Sequence, residues 1–320
     1  MNNIKISFLW SENIKKSILF SLIHVLSKKK IEIVPPANAD LLILGPYDHF
    51  SFKRRCFNIL NKRIKYLDEK FPNLDIYSLN RNYKPIRLFI SSENYVPVDV
   101  KYDFSITSSL GIVDDNHLRF PVWKDDIDWS HEGFYRENSS NTQRFGSFHN
   151  IDDFIKSQGI NFMEKKRNFC LFSSHLREPR KSLFTQISKS FLIDGFGPYF
   201  NKNLQSHNNN TFKKKDIMKN YAFNLCPENS LYPGYYTEKI PDAFFGKCLP
   251  VSWVDQNVDV DFNKNSFINM LDYTKDNYIA MCDLLKDDIF LKKFTQEPLC
   301  FKKPNLDKEK IFINKIISSL

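Results

Sequence analysis

The chain has 320 residues, 42% of them apolar and 15% aromatic, which excludes a largely disordered polypeptide and leaves length for two domains with separate cores. A formal charge of +9 is compatible with an acidic partner, whether nucleotide, polynucleotide or anionic lipid, without choosing among them. Six cysteines (Cys56, Cys170, Cys226, Cys248, Cys282, Cys300) contain no C-x-x-C pair, so free thiols in a reducing compartment are expected ahead of a zinc site or a disulfide frame.

In chain order, "IKISFLW" predicts a first strand and residues 17–26, "SILFSLIHVL", an amphipathic surface helix with Ile14, Ile18, Leu22 and Val25 on one face. That run is too short to span a bilayer and has no small-residue cleavage site, so a cytoplasmic chain is expected. "IEIVPP" and "ADLLILGPYD" follow as strands, then a polar helical stretch, then "KPIRLFIS", "YDFSITSS" and "HLRFPVW". Alternating strand and helix patterns predict an open α/β sheet with its loops gathered at the strand ends.

From about Trp129 to Lys166 the periodicity fades, and a domain boundary is expected in or just after this stretch. A second α/β series then runs as strand "RNFCLFSS", helix "REPRKSLFTQISKSF", a polar Asn- and Lys-rich loop, strand "YAFNLCPEN", helix "TEKIPDAFF", and strands "CLPVSW" and "SFINML". The lysine runs 28–30 and 213–215 read as solvated faces. The tail "DKEKIFINKIISSL" puts Ile313, Ile316, Ile317 and Leu320 on one face, to pack back as a final helix or, alternatively, to touch a membrane surface.

The segment 223–251, "FNLCPENSLYPGYYTEKIPDAFFGKCLPV", crowds carboxylates, an amide, tyrosines and a lysine between a strand and a helix. Thr237 is placed to cap a helix carrying Pro241 in its first turn, with Ile240, Ala243 and Phe244 facing the sheet and Gly246 ending it. A helix start next to Lys239 suits a phosphate, and Glu238 beside it suits sugar hydroxyls. For "TEK" alone, an ordinary capped surface helix is the default.

The fuller stretch "YAFNLCPENSLYPGYYTEKIPDAFF" resembles the signature of the α1,3-fucosyltransferases, glycosyltransferase family GT10, in its bacterial form. The matching positions are Tyr221, Phe223, Leu225, Glu228, Asn229, Tyr235, Thr237, Glu238, Lys239, Asp242 and Ala243. Pro227 departs from the family's Phe before Glu-Asn, and "NKNLQSHNNNTFKKK" lengthens the preceding loop. The resemblance implies a GT-B fold of two Rossmann-like domains facing across a cleft, with residues 1–155 binding acceptor, residues 156–300 binding GDP-fucose, and a helical tail at 301–320. It implies an inverting transfer of fucose to a GlcNAc or glucose hydroxyl of an N-acetyllactosamine- or lactose-type or lipid-linked glycan, as in Lewis-type antigen synthesis, with no metal or other cofactor. Lys239 and Arg180 would bind the diphosphate, with Arg177 competing for the second place. Glu238, Tyr235 and Asn229 would contact ribose or fucose hydroxyls. "SENYVP" is similar to the family's G-E-N-x-x-P element, which makes Glu93 the candidate base.

Other readings remain beside this one. Asp126 to Asp128 and Asp259 to Asp261 form D-x-D triplets that a metal-dependent glycosyltransferase would use. Trp123, Trp129 and Tyr95 are aromatics for stacking on sugar or for packing, and His175 lies near Arg180. A noncatalytic binder of polyanions or anionic lipid on the same scaffold is the alternative from another class; under the fucosyltransferase reading no nucleic acid is a partner.

Overall fold

The computed structural model describes residues 3–9, 12–46, 85–94, 102–200, 213–273 and 278–320. Tyr95, Cys56 and the expected polar helix after the third strand lie outside the described residues. The chain divides into two units, residues 1–120, 134–136 and 306–320 in the first and residues 121–133 and 137–305 in the second.

The first unit is built on β1 (Ile4–Phe8), β2 (Ile31–Ile33), β3 (Leu41–Leu44), β4 (Ile86–Ser91), β5 (Phe104–Thr107) and β6 (His117–Arg119). They form one parallel sheet in the order β2-β1-β3-β4-β5-β6, with Ile6 opposite Leu41 and Leu88 opposite Phe104. All four residues of β3 and of β5 are buried, as strands covered on both faces must be. Helix α1 (Ile18–Ser27) starts at Ser17, whose hydroxyl accepts the Leu19 N–H. Its buried face is Ile18, Leu19, Leu22 and Ile23, while Val25, expected on that face, is exposed.

The second unit carries β7 (Phe169–Phe172), β8 (Ile193–Phe196), β9 (Phe223–Leu225), β10 (Leu249–Ser252) and β11 (Ile268–Asn269) in the parallel order β11-β10-β9-β7-β8. Its helices are α2 (Ser140–Phe145), α3 (Arg180–Ile187), α4 (Lys214–Met218), α5 (Lys239–Phe245), α6 (Tyr278–Leu284) and α7 (Asp288–Lys292). Strand β8 falls where a polar loop is expected; its four half-buried residues, "IDGF", form an edge strand with too little apolar alternation to announce itself. Phe169, Phe191 and Phe223 centre the core, with ring centroids 5.0 to 5.8 Å apart.

The unit limits differ from the expected 155/156 division. The irregular stretch after Pro121 packs into the second unit through Trp123 and Trp129, both buried. Trp123 stacks against Phe154 and Phe262 and donates to Asp261 at 3.1 Å, and Trp129 donates to the Lys124 carbonyl at 2.9 Å. Both indoles therefore belong to the core rather than to a sugar platform. Helix α8 (Asp307–Ser318) returns to the first unit, where it packs on α1 and buries Phe312, Ile313 and Ile316, with Phe312 edge-on to Phe104. Among the described residues no helix is long and apolar enough to cross a membrane.

Replacing the fully buried Phe169 by Ala removes a ring that packs against both Phe191 and Phe223. The variant is expected to lose about 3–5 kcal/mol of stability, read as a lowered denaturant midpoint.

Candidate active site

In the second sheet the order reverses between β7 and β9, so the loops leaving these two strands diverge and open a crevice at their carboxyl ends. From β7 come Ser173, His175 and Arg180; from β9 come Glu228 and Asn229. Arg180 opens α3, is buried, and donates through Nη2 to the Asn229 Oδ1, while Nη1 lies 3.3 Å from both ring nitrogens of His175. Arg177 is exposed, so of the two competing arginines it is Arg180 that reaches the cluster. Asn229 in turn donates to the Tyr235 hydroxyl at 3.2 Å.

Pro227 leaves the strand end intact. Cys226 and Glu228 donate their N–H groups to Val251 and Trp253 on either side of it, and strand alternation turns the proline's missing donor away from that pairing.

Glu228 is completely buried, and its carboxylate gathers the loop that follows. Oε1 accepts the Thr237 N–H at 2.8 Å and the Thr237 hydroxyl at 2.9 Å, and Oε2 accepts the Lys239 ammonium at 2.7 Å. Lys239 also donates to the Thr237 hydroxyl oxygen at 2.7 Å. Thr237 thus does not cap α5 as expected: its hydroxyl is committed to Glu228, and the helix starts after Glu238 without a side-chain cap. Ile240, Ala243 and Phe244 are buried and Gly246 ends the helix, as the pattern predicts.

A second shared carboxylate stands beside the first. Lys214 places its ammonium 2.7 Å from Asp242 Oδ2 and 3.9 Å from Glu238 Oε1, and His149 Nε2 lies 3.1 Å from Asp242 Oδ1. Lys214, expected on a solvated face, keeps only 15% of its side chain exposed. Burial works against every charge here, but the Glu228 and Glu238 carboxylates raise Lys239, and Asp242 and Glu238 raise Lys214. Burial would lift Glu238 too, yet Lys239 and Lys214 hold it down at about 2. Asp126 is pushed the other way, by burial first and then by Glu238, Asp242 and Asp125. It receives the Ser139 hydroxyl on Oδ1, and its Oδ2 meets no partner among the described residues.

The structure therefore brings Arg180, Asn229, Tyr235, Glu238 and Lys239 into one cluster. Glu93 belongs to the first unit, half-buried two residues beyond β4, its N–H held by the Ser91 hydroxyl at 3.2 Å. Glu228, Lys214, Asp242, His149 and Asp126 complete the cluster. Glu228 and Asp242 carried a signal as matched signature positions and Asp126 as a member of a D-x-D triplet, whereas Lys214 and His149 were not singled out as site residues. An open cavity of about 480 Å3 adjoins Asn229, lined among others by Glu178, Ser182, Trp253 and Tyr278. Among the described residues no three His, Cys, Asp or Glu are grouped to hold a metal, and the D-x-D residues Asp126 and Asp261 face Ser139 and Trp123 instead.

Residues 162–294 match the sequence profile of the glycosyltransferase family 10 (fucosyltransferase) C-terminal domain. That match covers less than half of the chain. The chain is 27% identical over 202 residues to the α-(1,3)-fucosyltransferase FucT of Helicobacter pylori, a stretch covering 58% of this chain and 41% of that relative's length. In fold it is similar to a crystal structure of an α1,3-fucosyltransferase with GDP, at a TM-score of 0.66 and 20% identity over 99% of this chain and 90% of the other. The same enzyme type with GDP-fucose superposes at 0.65 and 21% identity, covering 98% of this chain and 90% of the other. The chain thus has the GT-B fold, an α/β architecture with two parallel sheets.

Because burial, Glu238, Asp242 and Asp125 raise the proton affinity of Asp126 in the fold, the cost of keeping it charged is absent below the ordinary carboxylate value of 3.8 and grows as pH rises above it. Asp126→Asn is expected to melt higher than the parent protein at about pH 7 and equally at about pH 4. A variant no more stable at neutral pH would show that the carboxylate is ionised in place.

Proposed function

We propose that the chain transfers L-fucose from GDP-fucose to a hydroxyl of a GlcNAc or glucose unit in an N-acetyllactosamine- or lactose-type glycan, forming an α1,3 linkage with inversion. The observation that carries the reading is the convergence of Arg180, Asn229, Tyr235, Glu238 and Lys239 at the switch point of the second sheet. Four of these, Asn229, Tyr235, Glu238 and Lys239, are positions of the fucosyltransferase signature, and proteins of similar fold include an α1,3-fucosyltransferase crystallised with GDP-fucose.

In this reading the departing diphosphate meets two fixed cations. Lys239 and Arg180 are already oriented by Glu228 and Asn229, so they stabilise the charge that develops as the bond to fucose breaks, without reorganising at that moment. Glu238, an anion at neutral pH, accepts hydrogen bonds from sugar hydroxyls, and Tyr235 and Asn229 border it. The cavity beside Asn229, with Trp253 and Tyr278 in its wall, would seat the nucleoside. Glu93 takes the proton from the acceptor hydroxyl as that oxygen attacks the anomeric carbon on the face opposite GDP. The reading needs no metal.

The test is to incubate the protein with GDP-fucose and lactose or N-acetyllactosamine, with and without EDTA, and to follow GDP release and product mass. A product heavier by one fucose in both arms is expected; no product together with no GDP-fucose binding would overturn the proposal. Glu93→Gln should lower turnover by about 100-fold or more with donor affinity within about twofold, the loss that general-base removal entails. Unchanged turnover would remove Glu93 from the mechanism. Lys239→Met should weaken GDP binding by roughly 10-fold or more, since a charge-assisted hydrogen bond is lost.

A further inference from the structure

We propose that Lys214 is a positioning residue for the donor sugar, its ammonium shared between Asp242 and Glu238 so that Glu238 is presented as an oriented carboxylate beside Lys239. The inference rests on reading this cluster as the donor site and names a residue outside the signature that the site depends on.

Three observations carry it. First, the location of Lys214 is costly for a cation unless the acids require it: the residue opens α4, where the helix dipole repels positive charge, and its side chain is largely buried. Its neighbours Lys213 and Lys215 hydrogen-bond neutral oxygens, the Gln143 carbonyl and the Ser147 hydroxyl, whereas Lys214 forms ion pairs with the Asp242 and Glu238 carboxylates. Second, Glu238 and Asp242 are four residues apart on one helical face, a spacing at which like charges repel, and the Lys214 ammonium lies within 4.0 Å of both. Third, Asp242 is fixed from its far side by His149, so Lys214 is anchored to a rigid partner and can hold Glu238 at a set distance.

The charges close around this lysine. Arg180, Lys214 and Lys239 oppose Glu228, Glu238 and Asp242, while Asp126 is driven toward its neutral form. The groups acting on Glu238 are Lys239 on its own helix, Lys214 from α4, Thr237 through a hydrogen bond, Arg180 from α3, and Asp126 from the segment after Pro121. Without Lys214, burial and the Asp126 and Asp242 carboxyls act against Lys239, Arg180 and the Thr237 hydrogen bond, and Glu238 takes up a proton at higher pH. A protonated Glu238 has one acceptor oxygen fewer for sugar hydroxyls, while the groups assigned to the diphosphate are untouched.

The experiment compares GDP and GDP-fucose binding by calorimetry between about pH 5 and pH 8 for the parent protein, Lys214→Met and Lys214→Gln. Lys214→Gln keeps a donor against Asp242 and removes only the charge, and it is read in place of Lys214→Met should that variant not fold. In the variants the preference for GDP-fucose over GDP is expected to fall by roughly 10-fold, the worth of hydrogen bonds to a charged acceptor, and to fall further as pH is lowered. In the parent protein it is expected to stay flat over the same range. Equal weakening of both ligands, or a pH-independent loss, would reduce Lys214 to a structural role and overturn the proposal. A parent protein that binds neither ligand overturns the donor-site reading and this inference together, whereas intact parent binding with unaltered variants overturns this inference alone.

Discussion

Much of the candidate site hangs on one buried carboxylate. Glu228 is removed from water, a cost of several kcal/mol unless its lone pairs are filled, and the loop behind it is folded so as to fill them with the Thr237 N–H, the Thr237 hydroxyl and the Lys239 ammonium. Closing that loop sets Asn229 against Tyr235 and fixes where α5 begins. The uncapped start of α5 follows from the same requirement, since the Thr237 side chain cannot serve both the helix and Glu228.

Strand order puts this carboxylate where it can act. In a parallel sheet whose order reverses between β7 and β9, the next loops leave in opposite directions, and the polar groups at their starts face an open crevice instead of a packed helix. Arg180 and Asn229 meet there from the two sides. Such a place accepts a buried arginine only because an amide oxygen, two carboxylates and a tyrosine surround it, each needed to offset the desolvation of its charge.

Around Glu238 the cluster is close to electrically neutral, which keeps so many ionisable groups together away from bulk water. Among the described residues of the cluster three cations stand against three carboxylates, and Asp126 is pushed toward its neutral form by burial first and then by Glu238, Asp242 and Asp125. In the low dielectric of this site each charge depends on its neighbours, so the properties of Glu238 are those of the whole group and cannot be assigned from the Thr-Glu-Lys tripeptide.

The alternation of strands and helices, the hydrophobic faces of α5 and α8, and the signature from Tyr221 to Ala243 are local patterns, and the sequence by itself determined them together with the resemblance they carry. Period and spacing survive in one dimension because they reflect backbone geometry, which is the same wherever the chain goes. What only the tertiary structure decided was everything that depends on segments far apart in sequence. The edge strand Ile193–Phe196 has no periodic signal and exists because Phe169–Phe172 offers it a partner. The stretch from Trp129 to Lys166 reads as a linker, yet Trp129 is buried and so is His149, which meets Asp242 93 positions away. Lys214 reads as one of three surface lysines and is made otherwise by Asp242 and Glu238, which reach it only once α4 and α5 are packed. Burial, charge pairing and proton affinity are properties of surroundings, and surroundings are assembled by the fold.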